Sequence, residues 1–164
     1  MKYNLSSIVL LSLAIVLLCS CATAEERAAR AALQAARVKT ALAKKHYQID
    51  VDRMYPMSGA AKHLTFGYSV EVRNDSLISY LPYFGRAFSV PYGGGKALNF
   101  SESINNYQES EKSNGQRHIE IGVRNEEDTY TYYIDVFDNG SSSIAIQARE
   151  REPISFSGMM TFDE

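Results

Sequence analysis

Few residue types in this chain can do covalent chemistry, and little in their spacing lets them act together. The only thiols are Cys19 and Cys21. They stand two apart, a strained span for a disulfide. The three histidines, His46, His63 and His118, are isolated, and zinc spacing such as His-x-x-x-His is absent. Asp50 and Asp52 share one face of an expected strand and could chelate a hard cation with a third ligand; a solvated strand face has the same pattern. Glu126-Glu127-Asp128 lacks the spacing of a calcium loop. No Gly-x-Ser-x-Gly elbow presents a serine, and Gly93-Gly94-Gly95-Lys96 lacks the spacing and following helix of a phosphate loop. Paired carboxylates for glycoside cleavage cannot be singled out from the 17 acids after residue 46. The expectation is a protein that is not an enzyme, with no catalytic residues, no metal and no cofactor. A hydrolase built from dispersed histidines and acids is the remote alternative.

The N-terminus holds the one reactive side chain with a definite fate. Residues 1–7 are polar with one positive side chain, Lys2, and residues 8–18 are apolar except for Ser12. That run is too short for a bilayer core, which takes ~20 residues, but it suits the hydrophobic region of a signal peptide. Leu18-Cys19-Ser20-Cys21 resembles the bacterial lipobox: Leu three places before a Cys, and a small residue just before it. Residues 1–20 are therefore expected to be a lipoprotein signal peptide cleaved between Ser20 and Cys21. Cys21 would then carry a diacylglyceryl group on sulfur and a further acyl chain, such as palmitate, on its amine. Lipidation at Cys19 instead would put bulky Leu18 where a small residue is needed. Each buried methylene contributes ~0.8 kcal/mol, and two or more chains anchor a protein stably without a span.

Removing 20 residues from 164 leaves 144, one domain's worth. Residues 21–46 hold six basic side chains (Arg27, Arg30, Arg37, Lys39, Lys44, Lys45) against Glu25 and Glu26, a net +4. Residues 47–164 hold 10 Lys or Arg against 17 Asp or Glu, a net −7. A basic stretch beside the lipid and an acidic body beyond it suit a membrane surface, and ordinary solvated faces would read the same way. The acidic body argues against nucleic acid as partner.

Residues 24–46 contain no Gly or Pro and are rich in Ala, Arg, Lys and Leu, which predicts a helix. Arg27, Arg30, Gln34, Arg37 and Lys44 recur at three- and four-residue steps. An Ala-rich opposite face buries little, so the helix reads as a stalk whose last turns, near Leu42 and Tyr47, dock on the body. From Tyr47 the period falls to two. Ile49 and Val51; Tyr68, Val70 and Val72; the run 77–81; Ile119, Ile121 and Val123; Tyr132, Ile134 and Val136; Ile144 and Ile146; and 154–162 each mark a strand. One more is expected at 97–103, with 104–111 pairing with its successor. About eight strands predict a mainly β fold, an antiparallel sandwich or barrel behind one N-terminal α-helix, with divisions at 1–20, 21–46 and 47–164.

Residues 81–95 break the alternation, combining Tyr83, Phe84, Phe88 and Tyr92 with Arg86, two prolines and four glycines. Either this segment lines a contact site for a ligand or partner, or its aromatics plug one end of the core with Arg86 capping carbonyls. Its Leu-Pro-Tyr-Phe-Gly-Arg run, the stretch 97–107, the lipobox, the basic helix and the closing Ile154-Ser-Phe-Ser-Gly158 together resemble a family of small Bacteroidetes lipoproteins known as a domain of unknown function, DUF4251-like. The resemblance spans essentially the whole mature chain. It implies a mostly β fold behind a helix and anchoring in the outer membrane, and it brings no catalytic or binding residues with it. Glu25 and Glu26 look like the acidic signal that sends some lipoproteins of that phylum to the cell surface rather than the periplasmic face; two Glu also suit a helix N-terminus. The expected role is a non-catalytic module that binds an envelope protein or small ligand, with a structural or assembly component as the alternative.

Overall fold

The computed structural model describes the backbone of residues 5–65, 67–89, 95–112 and 115–162, and side chains from residue 24 onward. A single helix, α1 (Leu5–Ala43), precedes nine strands: β1 (His46–Pro56), β2 (Lys62–His63), β3 (Ser69–Arg73), β4 (Ser76–Tyr80), β5 (Asn99–Glu111), β6 (Arg117–Arg124), β7 (Thr129–Val136), β8 (Ser141–Ala148) and β9 (Ile154–Thr161). From β3 to β9 each strand pairs antiparallel with the next. β1 pairs with β3 through residues 46–50 and with β9 through residues 48–56, and so closes the sheet. Eight strands thus form an up-and-down antiparallel barrel, with β2 an additional strand on β1 at Arg53 and Met54. Sandwich and barrel share the same alternation, and the β1–β9 ladder is what separates them.

The inward positions are those the period-two pattern marks. Ile49, Val70, Val72, Leu77, Ile119, Ile121, Tyr132, Ile134, Ile144 and Phe156 are all fully buried. An eight-stranded barrel has an interior just wide enough for such side chains to fill. Tyr132 reaches across it to donate to Ser79 Oγ at 2.9 Å, so the hydroxyls of this buried pair satisfy each other. In β1 the alternation slips: Tyr47, Ile49 and Val51 face inward, then Asp52 and Arg53 are both exposed before Met54 turns in. A bulge between Val51 and Arg53 in the β9 pairing absorbs the extra residue.

Two structures close the barrel ends. At the end where β1 begins, the last turns of α1 bury Val38, Ala41 and Leu42 in the common core, with Gln34 and Ala35 half-buried beside them. These positions follow three- and four-residue steps, so one stripe of the helix docks while residues 24–33 stay exposed. The helix ends at Ala43, before the predicted His46: Lys45 takes a left-handed φ of 48°, and its N–H bonds to the Leu42 carbonyl at 2.9 Å. The Lys45 ammonium then lies 4.5 Å from the Tyr107 ring centroid. At the other end lie the β6–β7 and β8–β9 connections and residues 81–89 and 95–98. The two segments expected at 97–103 and 104–111 form one continuous strand, β5, bulged between Ile104 and Asn106. β2 was not foreseeable, since two residues carry no periodicity.

The closing seam has one position with no room for a side chain. A Cβ on Gly158 would collide with the Asp50 carbonyl oxygen and lie 3.0 Å from Val51 Cα, both backbone atoms of β1. Gly158→Ala must therefore push β9 off β1 beside the bulge. Urea unfolding should show a loss on the order of 1–3 kcal/mol, against little change for Ser155→Ala on the same strand. Equal stability of Gly158→Ala and the parent would mean the seam is not tight.

Candidate functional site

Residues 81–89 and 95–98 lie across the barrel end opposite α1. Leu81 is buried, and its N–H reaches the Leu98 carbonyl at 3.4 Å across the base of the loop. The middle of the loop pairs with the β8–β9 connection. Ala87 bridges Arg151, Phe88 N–H donates to the Glu150 carbonyl at 2.8 Å, and Glu152 N–H donates to the Arg86 carbonyl at 2.9 Å. Tyr83 folds back beneath this contact, its hydroxyl shared between the carbonyls of Arg86 (2.9 Å) and Glu152 (3.1 Å). Burial, then the nearby Glu152 carboxylate, raise the Tyr83 pKa, so the phenol stays protonated and can donate.

A largely buried charge network fixes the loop from below. Arg151 is only 6% exposed. Its Nη2 donates to Glu127 Oε2 at 3.0 Å, its Nε lies 3.9 Å from Asp128 Oδ2 without a hydrogen bond, and its guanidinium lies 5.5 Å from the Tyr83 ring centroid. Glu127 also accepts the backbone N–H groups of Lys96 (2.7 Å) and Ala97 (3.3 Å), tying down the end of the loop. Asp128 Oδ1 accepts from the N–H groups of Thr129, Arg149 and Glu150 at 2.7, 3.0 and 3.2 Å, gathering the β8–β9 corner. Gly95 is the space this network needs: a Cβ there would sit 2.5 Å from Glu127 Oε2 and 3.1 Å from Arg151 Nη2. Tyr130 completes the cap by donating to the Ala97 carbonyl at 2.9 Å.

The aromatic loop thus has two faces. Tyr83 belongs to the fold. Phe84 and Phe88 point outward, 49% and 64% exposed, with the Arg86 side chain more open still and its Nε 3.9 Å from Glu152. Lys62 of β2 sits 3.4 Å from the Phe84 ring centroid, so the extra strand serves as a cationic shelf under this aromatic. Tyr83, Phe84, Arg86, Glu152 and Ser58 line an open depression of about 400 Å³. Met57 and Tyr80 are exposed at the same barrel end. Tyr92 lies outside the described residues, as do the side chains of Ser20 and Cys21. The arrangement offers apolar contact edged by cations. The charged groups missed in sequence, Glu127, Asp128, Arg151 and Glu152, were hidden as a polar turn and a charged corner; their opposite signs were the available signal.

The other candidate groups stay apart. His63 lies on β2, near the loop, whereas His46 begins β1 at the opposite end. His118 Nδ1 lies 2.7 Å from Asp135 Oδ1 on the outer face of β6 and β7, and Lys112 Nζ donates to the same oxygen at 2.9 Å. Asp50 Oδ1 accepts from Gln48 Nε2 at 2.6 Å, and Asp50 and Asp52, either side of Val51 at the bulge, line one concave surface with no third carboxylate or histidine among its described lining. Among the described residues no three His, Cys, Asp or Glu gather as a metal site.

Two predictions test these contacts. Arg151→Ala leaves Glu127 and Asp128 without their cation, and should cost roughly 3–5 kcal/mol in urea unfolding; a loss under about 1 kcal/mol would mean the network does not hold the cap. For Asp135, burial raises the carboxyl pKa, but the hydrogen bonds from Lys112 and His118 with their charges outweigh it and leave the pKa lowered. A carboxylate with a depressed folded pKa contributes stability that is present above its unfolded value of about 3.9 and lost as pH falls through the folded one. Asp135→Asn should therefore flatten the acid limb of stability below about pH 4. An unchanged limb would show that the carboxylate adds nothing.

Comparison with known proteins bears on the fold. The family model described as "Domain of unknown function (DUF4251)" matches residues 29–160. The crystal structure of a DUF4251 family protein from Bacteroides eggerthii DSM 20697 superposes with a TM-score of 0.59 at 11% identity, covering 78% of this chain and 87% of that one. No curated protein matches. At that identity the likeness concerns architecture alone.

Proposed function

The chain belongs to the DUF4251 family, and we propose that it is a lipid-anchored envelope lipoprotein acting as a non-catalytic binding module, with the outward face of the 81–98 cap as its contact surface. One observation carries this reading: α1 enters at one end of the barrel, and the exposed aromatics Phe84 and Phe88 lie at the other. A lipid on Cys21 would hold the N-terminal side at the membrane of the outer envelope and leave the aromatic face turned away from it. Exposed aromatics flanked by Arg86 and Lys62 are the residue types that anchor protein interfaces. The barrel interior is filled and the depression beside Phe84 is shallow and open, which at this end favours a protein partner over a small ligand, including a larger envelope assembly in which this chain is a component. The Ser20–Cys21 cleavage and acylation rest on the lipobox spacing. The acidic pair Glu25 and Glu26 favours the cell surface over the periplasmic face.

The test separates anchor from contact. Mass spectrometry of the mature N-terminus should show an acylated Cys21, and Cys21→Ala should release the protein from membranes. A partner crosslinked in cells to the wild type should be lost by about thirtyfold from Phe84→Ser/Phe88→Ser, as for truncated anchor residues worth ~2 kcal/mol, while urea unfolding stays unchanged. Undiminished crosslinking by the folded double variant would remove the contact assignment. Protease clipping of the body on intact cells would place it outside, and protection until the outer membrane is broken would place it in the periplasm.

A further inference from the structure

A second concave surface lies where α1 meets the barrel rim. One wall is a helix row, Leu33, Ala36, Arg37 and Lys44, at the three- and four-residue steps that put side chains on one face. The opposite wall is the rim, with Phe162 just after β9 and His46 at the start of β1. Together they enclose an open groove of about 940 Å³, larger than the depression of about 400 Å³ beside Phe84. Its middle is apolar. Leu33 is 56% exposed on a helix stretch otherwise made of Ala, Gln and charged residues. Thr40 also lines it, but its hydroxyl is bonded back to the Ala36 carbonyl at 2.8 Å, which leaves the methyl as its free contact.

The charge around the groove is opposite to that of the body. Arg37 and Lys44 are exposed along one wall, and neither is paired with a carboxylate among the described residues. Both belong to the basic segment 21–46, so the helix wall sets two open cations beside a body in which ten bases face 17 acids. An occupant that matches needs an anionic head between Arg37 and Lys44 and an apolar tail along Leu33, Ala36 and Phe162. We propose that the groove binds one anionic membrane phospholipid, its phosphate at the two cations and an acyl chain in the channel. The membrane as the lipid's source rests on the anchoring reading above; the groove's chemistry does not. Bound there, the lipid would set the angle of the barrel to the membrane, because it grips helix and rim at once.

The experiment uses the full-length chain in neutral detergent, titrated with fluorescent phosphatidylglycerol and, separately, fluorescent phosphatidylcholine. Saturable binding of the anionic lipid is expected, with the zwitterionic one much weaker. Arg37→Gln/Lys44→Gln should weaken binding about thirtyfold, at roughly fivefold per cation near an anionic lipid surface. Ala36→Trp, which fills the channel and leaves both charges, should also abolish it. Equal binding of the two lipids, or survival of binding in folded Ala36→Trp, overturns the proposal, the latter because charge alone would then explain the attraction. Competition by glycerol phosphate would show a free-anion site and overturn it too, as would light scattering that gives a dimer mass for the parent and a monomer mass for Ala36→Trp. Cys21 acylation is read by mass in the same preparation. Loss of lipid binding with acylation intact defeats the groove alone, and absent acylation with lipid binding intact defeats the anchor alone.

Discussion

The ladder between β1 and β9 is the constraint on which the rest of the structure depends. Without it, strands β3 to β9 would be a curled open sheet with two long edges, and its inward Ile, Val and Tyr side chains would face water along the gap. The seam works because two irregularities coincide. The bulge after Val51 shifts the register of β1 against β9, and Gly158 lets β9 approach the β1 backbone right beside it. Beyond the bulge the far half of β1 no longer pairs with β3, and β2 takes up the exposed edge with two residues, one of them the lysine under Phe84. Closure of the fold and the setting of the exposed aromatic are thus linked through one strand.

A closed meander still has two open ends, and the chain plugs them with different physics. At the α1 end the plug is apolar: Val38 and Leu42 extend the barrel core, and no buried charge is needed. At the loop end the plug is electrostatic, because residues 81–89 and 95–98 are irregular and their backbone groups need partners. Glu127, Asp128 and Tyr83 supply them, and Arg151 balances the two carboxylates. Such a network adds less net stability than an apolar plug of similar volume would. What it adds is a fixed path for a loop with little periodic structure, which is what an exposed contact surface requires.

Much of this was legible in the sequence, and the limits follow from what periodicity encodes. Alternation at 47–51, 68–72, 119–123 and 132–136 marked strands and their inward faces correctly, because a half-wet strand must alternate. It carried no information on closure, since the β1–β9 pairing joins residues about a hundred positions apart. It also missed β2, which is too short to alternate, and merged strand β5, because the bulge at Ile104 shifts the phase and mimics a break. The aromatic loop stood out through its composition. Its division into an embedded Tyr83 and outward Phe84 and Phe88 did not, because that depends on carbonyls of Arg86 and Glu152 that sequence leaves unplaced.

The distribution of filled and open space then narrows what kind of activity this architecture can support. Eight-stranded barrels hold a small ligand only when inward side chains are small enough to leave a cavity. Here Tyr130, Tyr132, Phe156 and a set of Ile and Leu occupy the interior, and both ends are closed. On the proposed reading recognition falls to the outside, where two distinct surfaces sit at opposite ends: aromatics with cations on the loop cap, and an apolar channel with cations beside α1. A rigid, filled barrel between them fixes their separation and orientation. That suits a component whose task is to hold one contact at a set distance and angle from another. It suits less well a protein that must open to admit a substrate, because opening either end would expose core residues the fold cannot spare.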